Sequence, residues 1–75
     1  MEIEKAFGTV LKQARNKKLL SQEELAYLSD LDRTYISLLE RGKRQPSLKT
    51  LFMLASALEV LPSEIIVKVE NFLNN

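Results

Sequence analysis

The 75-residue chain has no cysteine, no histidine and no tryptophan. Without cysteine there can be no disulfide and no thiolate metal site. Without histidine the chain lacks the commonest general base and the commonest metal ligand. A chain this short also has little room for a substrate cleft, because it is near the lower size limit for a single self-sustaining core. We therefore expect one domain over residues 1–75, no cofactor and no enzyme activity.

Long apolar runs are also missing. No uninterrupted stretch approaches the roughly 20 residues that a membrane span needs, and the start MEIEKAF lacks the basic and apolar regions of a signal peptide. These absences predict a soluble cytoplasmic protein with no membrane partner. The formal net charge is only +1, but basic residues cluster at 12–18 and 33–49. Such segregated charge can present one basic face to phosphates.

Apolar residues recur at three- and four-residue spacing throughout the chain, which predicts an all-α fold of five helices. Helix one is expected from Ile3 to Lys18. Within it, Gly8 indicates either that another backbone approaches closely or that the fold tolerates a helix-destabilising glycine without a packing reason. Helix four is so apolar that we expect it to be buried on most sides; its apolar residues are Leu48, Leu51, Phe52, Leu54, Ala55 and Leu58.

Capping residues mark where the helices begin and end. Ser21 and Glu24 form the pattern of a capping box at the start of helix two. Asp32 is placed to cap helix three by accepting from the free amides of its first turn. Gly42 offers the left-handed residue that commonly ends a helix.

Residues 22–41, QEELAYLSDLDRTYISLLER, have the pattern of two short helices joined by a tight turn. Small Ala26 lies where the second helix must cross closely. Asp30 falls in the turn, where we expect positive φ, and Ile36 points back into the shared core. This unit places its second helix in the major groove of DNA, so the segment predicts sequence-specific DNA binding.

Helix five, expected from about Pro62, carries an apolar stripe that a small core hardly needs in full. The stripe either closes the base of the core or forms a homodimer contact. We predict the dimer contact, since small helix-turn-helix proteins usually bind paired half-sites as dimers. The interface residues expected on this basis are Ile65, Ile66, Val69, Phe72 and Leu73.

From Leu11 to Ile66 the chain resembles the lambda-repressor-like, or XRE, helix-turn-helix family. The matching segments are LKQAR, LSQEELA, RTYISLLERGKRQPSL, LFMLASALEV and PSEII. The resemblance implies a five-helix fold and a regulator that represses or activates transcription by binding a partly palindromic operator as a homodimer. The stretch LDRTYIS also resembles the stand-alone controller proteins of restriction-modification systems.

The chain departs from the family pattern at three helix ends. The family often has glycine after helix one, at the turn of the motif and after helix four, where this chain has Leu19, Asp30 and Glu59. A left-handed leucine costs about 1 kcal/mol or more. We therefore expect Leu19→Gly and Glu59→Gly each to stabilise the fold.

The resemblance assigns base contacts to the outward positions of helix three, namely Arg33, Thr34, Ser37 and Leu38. Arg33 is the best candidate for specificity, because arginine binds guanine with two hydrogen bonds. The alternative for Arg33 is a solvated charge paired with Asp30 or Asp32.

Phosphate contacts are expected around the same helix. Gln22 stands at the start of helix two, where free amides face a phosphate in the family's docking mode. Tyr35 either packs under helix two or reaches a phosphate through its hydroxyl. The basic residues beyond helix three complete the set: Arg41, Lys43 and Arg44. The resemblance also implies an ion pair between Arg15 and Glu40.

Two other functions compete with that of a DNA-binding regulator. One is the antitoxin of a toxin–antitoxin pair, although only the few residues past Ile66 are available to wrap a toxin. The other is a protein-interaction module that docks through helix five, which predicts no salt-dependent affinity for DNA. No small-molecule effector is expected, since no sensing domain is present.

Overall fold

Five helices and no strand make up the computed structural model, which describes all residues, 1–75. The predicted all-α architecture is confirmed. The first helix ends one residue earlier than expected. The helices are α1 (Ile3–Lys17), α2 (Gln22–Ser29), α3 (Arg33–Glu40), α4 (Leu48–Leu58) and α5 (Pro62–Leu73).

One hydrophobic core of 14 buried residues draws side chains from all five helices. The α1 helix packs against α3 and α5, and α2 packs against α3 and α4. Ile36 and Leu39 on α3 are fully buried between these neighbours. The α3 helix is therefore held from two sides, which leaves its opposite face to solvent.

Gly8 lies where the backbones of α1 and α3 touch. A Cβ atom added at Gly8 would lie 2.5 Å from the carbonyl oxygen of Leu39 and 2.7 Å from that of Glu40. Both atoms belong to backbone, which cannot move aside as a flexible side chain can. Of the two interpretations of Gly8, close approach is therefore the correct one.

Four helix ends share one geometry, in which a left-handed residue is followed by an amide that bonds back to a carbonyl five residues earlier. This is the Schellman arrangement. Only the end of α3 uses glycine, at φ 72°. The other three left-handed residues are Leu19 at φ 60°, Asp30 at φ 58° and Glu59 at φ 59°, so the positive φ expected at Asp30 is confirmed.

The side-chain cap predicted at the start of α2 is present, whereas the one predicted at the start of α3 is not. Ser21 Oγ accepts from the amide of Glu24 at 3.0 Å, and the Glu24 carboxylate accepts from the amide of Ser21 at 2.8 Å. The predicted side-chain cap at Asp32 is wrong. Its backbone carbonyl begins α3, accepting from Ile36 at 3.1 Å, while its exposed carboxylate caps no amide.

The α4 helix is less buried than its composition predicts. Leu48 is 72% exposed and Phe52 is 54% exposed, so the expectation of burial on most sides is wrong for these two residues. The reason is that α4 packs mainly against α2 and α5, which leaves one side open.

No single helix is long and apolar enough to cross a membrane. The α4 and α5 helices have the required length and composition only when taken together, and a bend of 107° separates them.

Candidate nucleic-acid interface

The outward face of α3 carries the four residues expected to contact bases. Because Ile36 and Leu39 are buried, the residues on the opposite stripe point away from the core. Arg33 and Thr34 are exposed in the first turn, and Ser37 and Leu38 follow one turn later, half-buried. Residues four apart on a helix share a face, so these four side chains form one continuous surface.

The charged residues at the two ends of this surface are not neutralised by neighbouring acids. The two ion pairs of the molecule are Arg15–Glu40 and Lys18–Glu59, so Arg33 pairs with neither Asp30 nor Asp32. At the other end, Arg41 lies back along α3, where its Nε donates to Ser37 Oγ at 3.3 Å. Two guanidinium groups therefore border the outward face of α3.

The loop between α3 and α4 adds two further exposed cations, Lys43 and Arg44. The guanidinium carbon of Arg44 lies 5.8 Å from the centre of the Tyr35 ring, which is within cation–π range. Tyr35 itself is half-buried against the core. The structure shows the Tyr35 ring packed against the core, where it also holds Arg44 near α3.

Gln22, the first residue of α2, contacts the last residue of α3. Its side-chain Nε2 donates to Glu40 Oε1 at 3.0 Å, across 18 positions of sequence. Nothing in the sequence pattern indicates this contact. It brings the start of α2, with its free backbone amides, to the end of the helix that carries the outward surface.

The expected Arg15–Glu40 ion pair is present and lies beneath this surface. Arg15 Nε lies 2.6 Å from Glu40 Oε2, and Arg15 Nη2 lies 3.0 Å from Glu40 Oε1. The side chains are only 11% and 3% exposed. A third donor of the guanidinium, Nη1, bonds the carbonyl oxygen of Leu20 at 2.8 Å. The hydrogen bond with Glu40 raises the pKa of Arg15 further, so the guanidinium group stays charged.

The α5 residues expected at a dimer interface fall into two groups. Ile65 and Val69 are buried in the core of the single chain, and Phe72 packs against it. The prediction is therefore corrected for Ile65 and Val69, whose side chains are already covered within the chain. Ile66 and Leu73 remain exposed.

An apolar groove beside Ile66 involves two exposed residues that the sequence did not assign to the dimer interface. Its exposed members, Ile3 on α1 and Leu48 on α4, face the same depression as Ile66. The helical spacing of α4 places Leu48 among the apolar residues of that helix. Only the packing of α1 against α5 brings Ile3 to the same groove.

A helix-turn-helix family model matches residues 11–65. The chain belongs to the helix-turn-helix family. Among curated relatives, the control protein C.MunI from Mycoplasma sp is 43% identical over 70 residues, which cover 92% of this chain and 95% of that protein. The match includes the α2–α3 motif and both flanking helices, so it covers the whole surface described above.

Solved structures agree with this assignment. The restriction-modification controller protein C.AhdI from Aeromonas hydrophila is 47% identical, with a TM-score of 0.81 over 83% of this chain and 94% of that one. The controller protein C.Esp1396I, described as a tetramer in complex with its natural 35 base-pair operator, is 35% identical with a TM-score of 0.85. That match covers 95% of this chain and 93% of its own.

Proposed function

We propose that this protein is a transcriptional regulator that binds operator DNA, with α3 in the major groove. The observation that carries the proposal is the outward face of α3, which is exposed in its first turn, half-buried in its second, and bordered by cations that no acid neutralises. Such a face presents hydrogen-bond donors to base edges. The likeness to operator-binding and controller proteins supports the same function.

The residues divide into two roles in this proposal. Arg33, Thr34, Ser37 and Leu38 lie on the stripe that enters the groove, so they discriminate between base pairs. Gln22, Arg41, Lys43 and Arg44 surround that stripe and bind phosphates, which supplies affinity and register but no sequence information. Tyr35 acts indirectly, by holding Arg44 through its ring.

The regulator acts as a homodimer on two half-sites. One α3 helix reads only a few base pairs, and a two-fold pair of helices about 34–36 Å apart reads two successive major grooves. The exposed apolar groove around Ile66 and Leu48 is the surface that a second copy would cover, together with Leu73 near the end of α5. Because only the dimer covers both half-sites, the fraction of operator that is bound would then depend on protein concentration.

The relatives narrow the biological role. Several are named as control proteins, including C.MunI and C.BamHI from Bacillus amyloliquefaciens. The structurally similar C.AhdI and C.Esp1396I are named as restriction-modification controller proteins. We infer that this chain regulates a restriction-modification gene set, in the cytoplasm where that DNA lies.

Two substitutions test the division of roles. Arg44→Ala should weaken binding to all duplexes and reduce the slope of log affinity against log salt by roughly 0.9 per half-site, the value of one phosphate contact, and so by roughly 1.8 for the dimer. Arg33→Ala should lower the preference for one base pair per half-site by roughly tenfold or more. Both are measured by fluorescence anisotropy on operator and point-variant duplexes.

Lys68→Ala is the matched control, since Lys68 is an exposed cation on α5, away from α3. It should leave both the salt slope and the base preference unchanged. If Arg33→Ala and Arg44→Ala alter affinity in the same way for every duplex, the proposed division is wrong.

A further inference from the structure

The carboxylate of Glu40 is shared between two partners that the fold brings from different helices. Its side chain is 3% exposed, and its two oxygens accept three hydrogen bonds, two from Arg15 and one from Gln22. Arg15 supplies the opposite charge, so the carboxylate is neutralised where it meets the start of α2. An isolated acid at that position would repel a phosphate, whereas this ion pair offers a neutral acceptor.

The bond to Glu40 fixes only half of the donor capacity of Gln22. A primary amide carries two N–H donors and one acceptor oxygen. One N–H is directed at Glu40 Oε1 at 3.0 Å, and the side chain makes no other hydrogen bond within the chain. The plane of the amide is therefore set by Glu40, while its second N–H remains available beside the free backbone amides of the first turn of α2.

We propose that Glu40 is a positioning residue for DNA binding, which orients the Gln22 amide toward a phosphate before the complex forms. Glutamine loses much rotamer freedom when it is ordered, and orientation in the free protein removes that cost from the binding step. Glu40 also ends α3, so one carboxylate sets the phosphate contact on α2 relative to the reading helix. The inference rests on the DNA-binding function proposed above.

A merely structural role for Glu40 predicts something different. In that case Gln22 binds its phosphate independently, and the fold losses in operator affinity caused by changing each residue multiply. If Glu40 acts through Gln22, the loss of operator affinity caused by Gln22→Ala depends on whether the Glu40 carboxylate is present. A double-mutant cycle on operator affinity separates the two cases, because it cancels any effect common to both backgrounds.

The second background is the double variant Arg15→Met, Glu40→Met, which removes the acceptor without leaving a charge unpaired. Replacing a buried ion pair by apolar residues of similar size is often tolerated, and the net charge does not change. In the wild-type background, Gln22→Ala should lower operator affinity about 3- to 10-fold per half-site, the value of one hydrogen bond. In the double-methionine background the loss should fall below about 2-fold per half-site.

Glu23→Gln provides the matched control background. Glu23 is exposed on the same turn of α2 and forms no hydrogen bond or ion pair, so Gln22→Ala should cost as much there as in the wild type. Because the Gln22 amide is neutral, Gln22→Ala should leave the salt slope unchanged. If the double-methionine protein does not fold, the double variant Arg15→Met, Glu40→Leu serves instead, since it also removes the acceptor of Gln22 without leaving a charge unpaired.

Equal losses from Gln22→Ala with and without Glu40, or no loss in the wild type, would overturn the inference while leaving the proposed function intact. A wild-type chain that selects no DNA at all would overturn the proposed function, and the inference with it. A loss confined to the backgrounds that retain Glu40 supports the positioning role.

Discussion

The α1–α3 junction and the α4–α5 pair are stabilised by different kinds of contact. At the junction, Gly8 lets two backbones touch and Arg15 is bound to Glu40, so both the distance and the orientation of α3 are fixed. The α4–α5 pair offers instead exposed apolar side chains, Leu48 and Ile66 among them. Directional contacts fix the geometry of the reading helix, whereas the α4–α5 pair leaves apolar surface uncovered, which is the surface proposed above for the dimer contact.

The largest expected effect comes from leaving one charge of the junction unpaired. Arg15→Met removes the ionic partner of a carboxylate whose side chain is 3% exposed, and breaking a buried pair in this way costs about 3–5 kcal/mol. The double variant Arg15→Met, Glu40→Met should recover much of that loss. Urea unfolding of both variants measures this, and a double variant no more stable than the single one would contradict the explanation.

The steric half of the junction is tested by Gly8→Ala. Alanine favours a helix over glycine by about 1 kcal/mol, but its Cβ would lie 2.5 Å from the Leu39 carbonyl oxygen. We expect net destabilisation of about 1–3 kcal/mol from overpacking, together with weaker operator binding because α3 is displaced. Gln13→Ala, at an exposed site on the same helix, should be neutral. A stabilised Gly8→Ala protein would show that the two backbones can separate at little cost.

At the α4–α5 pair, the expected effect is on association. Ile66→Glu places a charge in the apolar groove and should weaken the dimer roughly tenfold or more, yet the monomer should fold because Ile66 is 44% exposed. The control is Val67→Glu, at a neighbouring residue that is 52% exposed and lies outside the groove. Sedimentation equilibrium compares the two, and equal effects would place the interface elsewhere.

A smaller effect is expected at the left-handed end of α1. Leu19 has φ 60° and an almost fully exposed side chain, so side-chain packing offsets little of the cost of its left-handed backbone. Leu19→Gly should stabilise the fold by about 1 kcal/mol, and Glu59→Gly should stabilise it less because the ion pair with Lys18 is lost. Thermal unfolding measures both changes, and a lower melting temperature for Leu19→Gly would contradict the assignment of strain.

The smallest expected effect is a pH dependence at the start of α2. Hydrogen bonds from the backbone and side chain of Ser21 hold the pKa of Glu24 below its ordinary value. A lowered pKa in the folded state stabilises the protein at neutral pH, and this stabilisation is lost as pH falls through the lowered value. The stability difference between wild type and Glu24→Gln should therefore shrink as pH falls from about 5, just above the ordinary pKa of a glutamate. Glu23→Gln, at a neighbouring exposed residue whose carboxylate accepts no hydrogen bond within the chain, is the control substitution.

Periodicity and capping residues predicted the five helices and most of their bounds, because those signals are local. The burial of α4 was overestimated at Leu48 and Phe52, since composition does not reveal how many neighbours a helix has. The Gln22–Glu40 contact joins residues 18 positions apart, so no local pattern encodes it. Likewise, the spacing on α5 placed Ile65 and Ile66 on one stripe, and only packing against α1 and α4 separates the buried residue from the exposed one.

The central claim is that the rigidly held α3 helix reads DNA as part of a symmetric pair. Selection of bound duplexes from a random DNA pool, at two salt concentrations, tests it most directly. The proposal predicts recovery of a two-fold-related motif at both concentrations, with half-sites about one helical turn apart. Recovery of no motif, with weak binding that disappears at moderate salt, would contradict it and favour a module that binds a protein partner through α5.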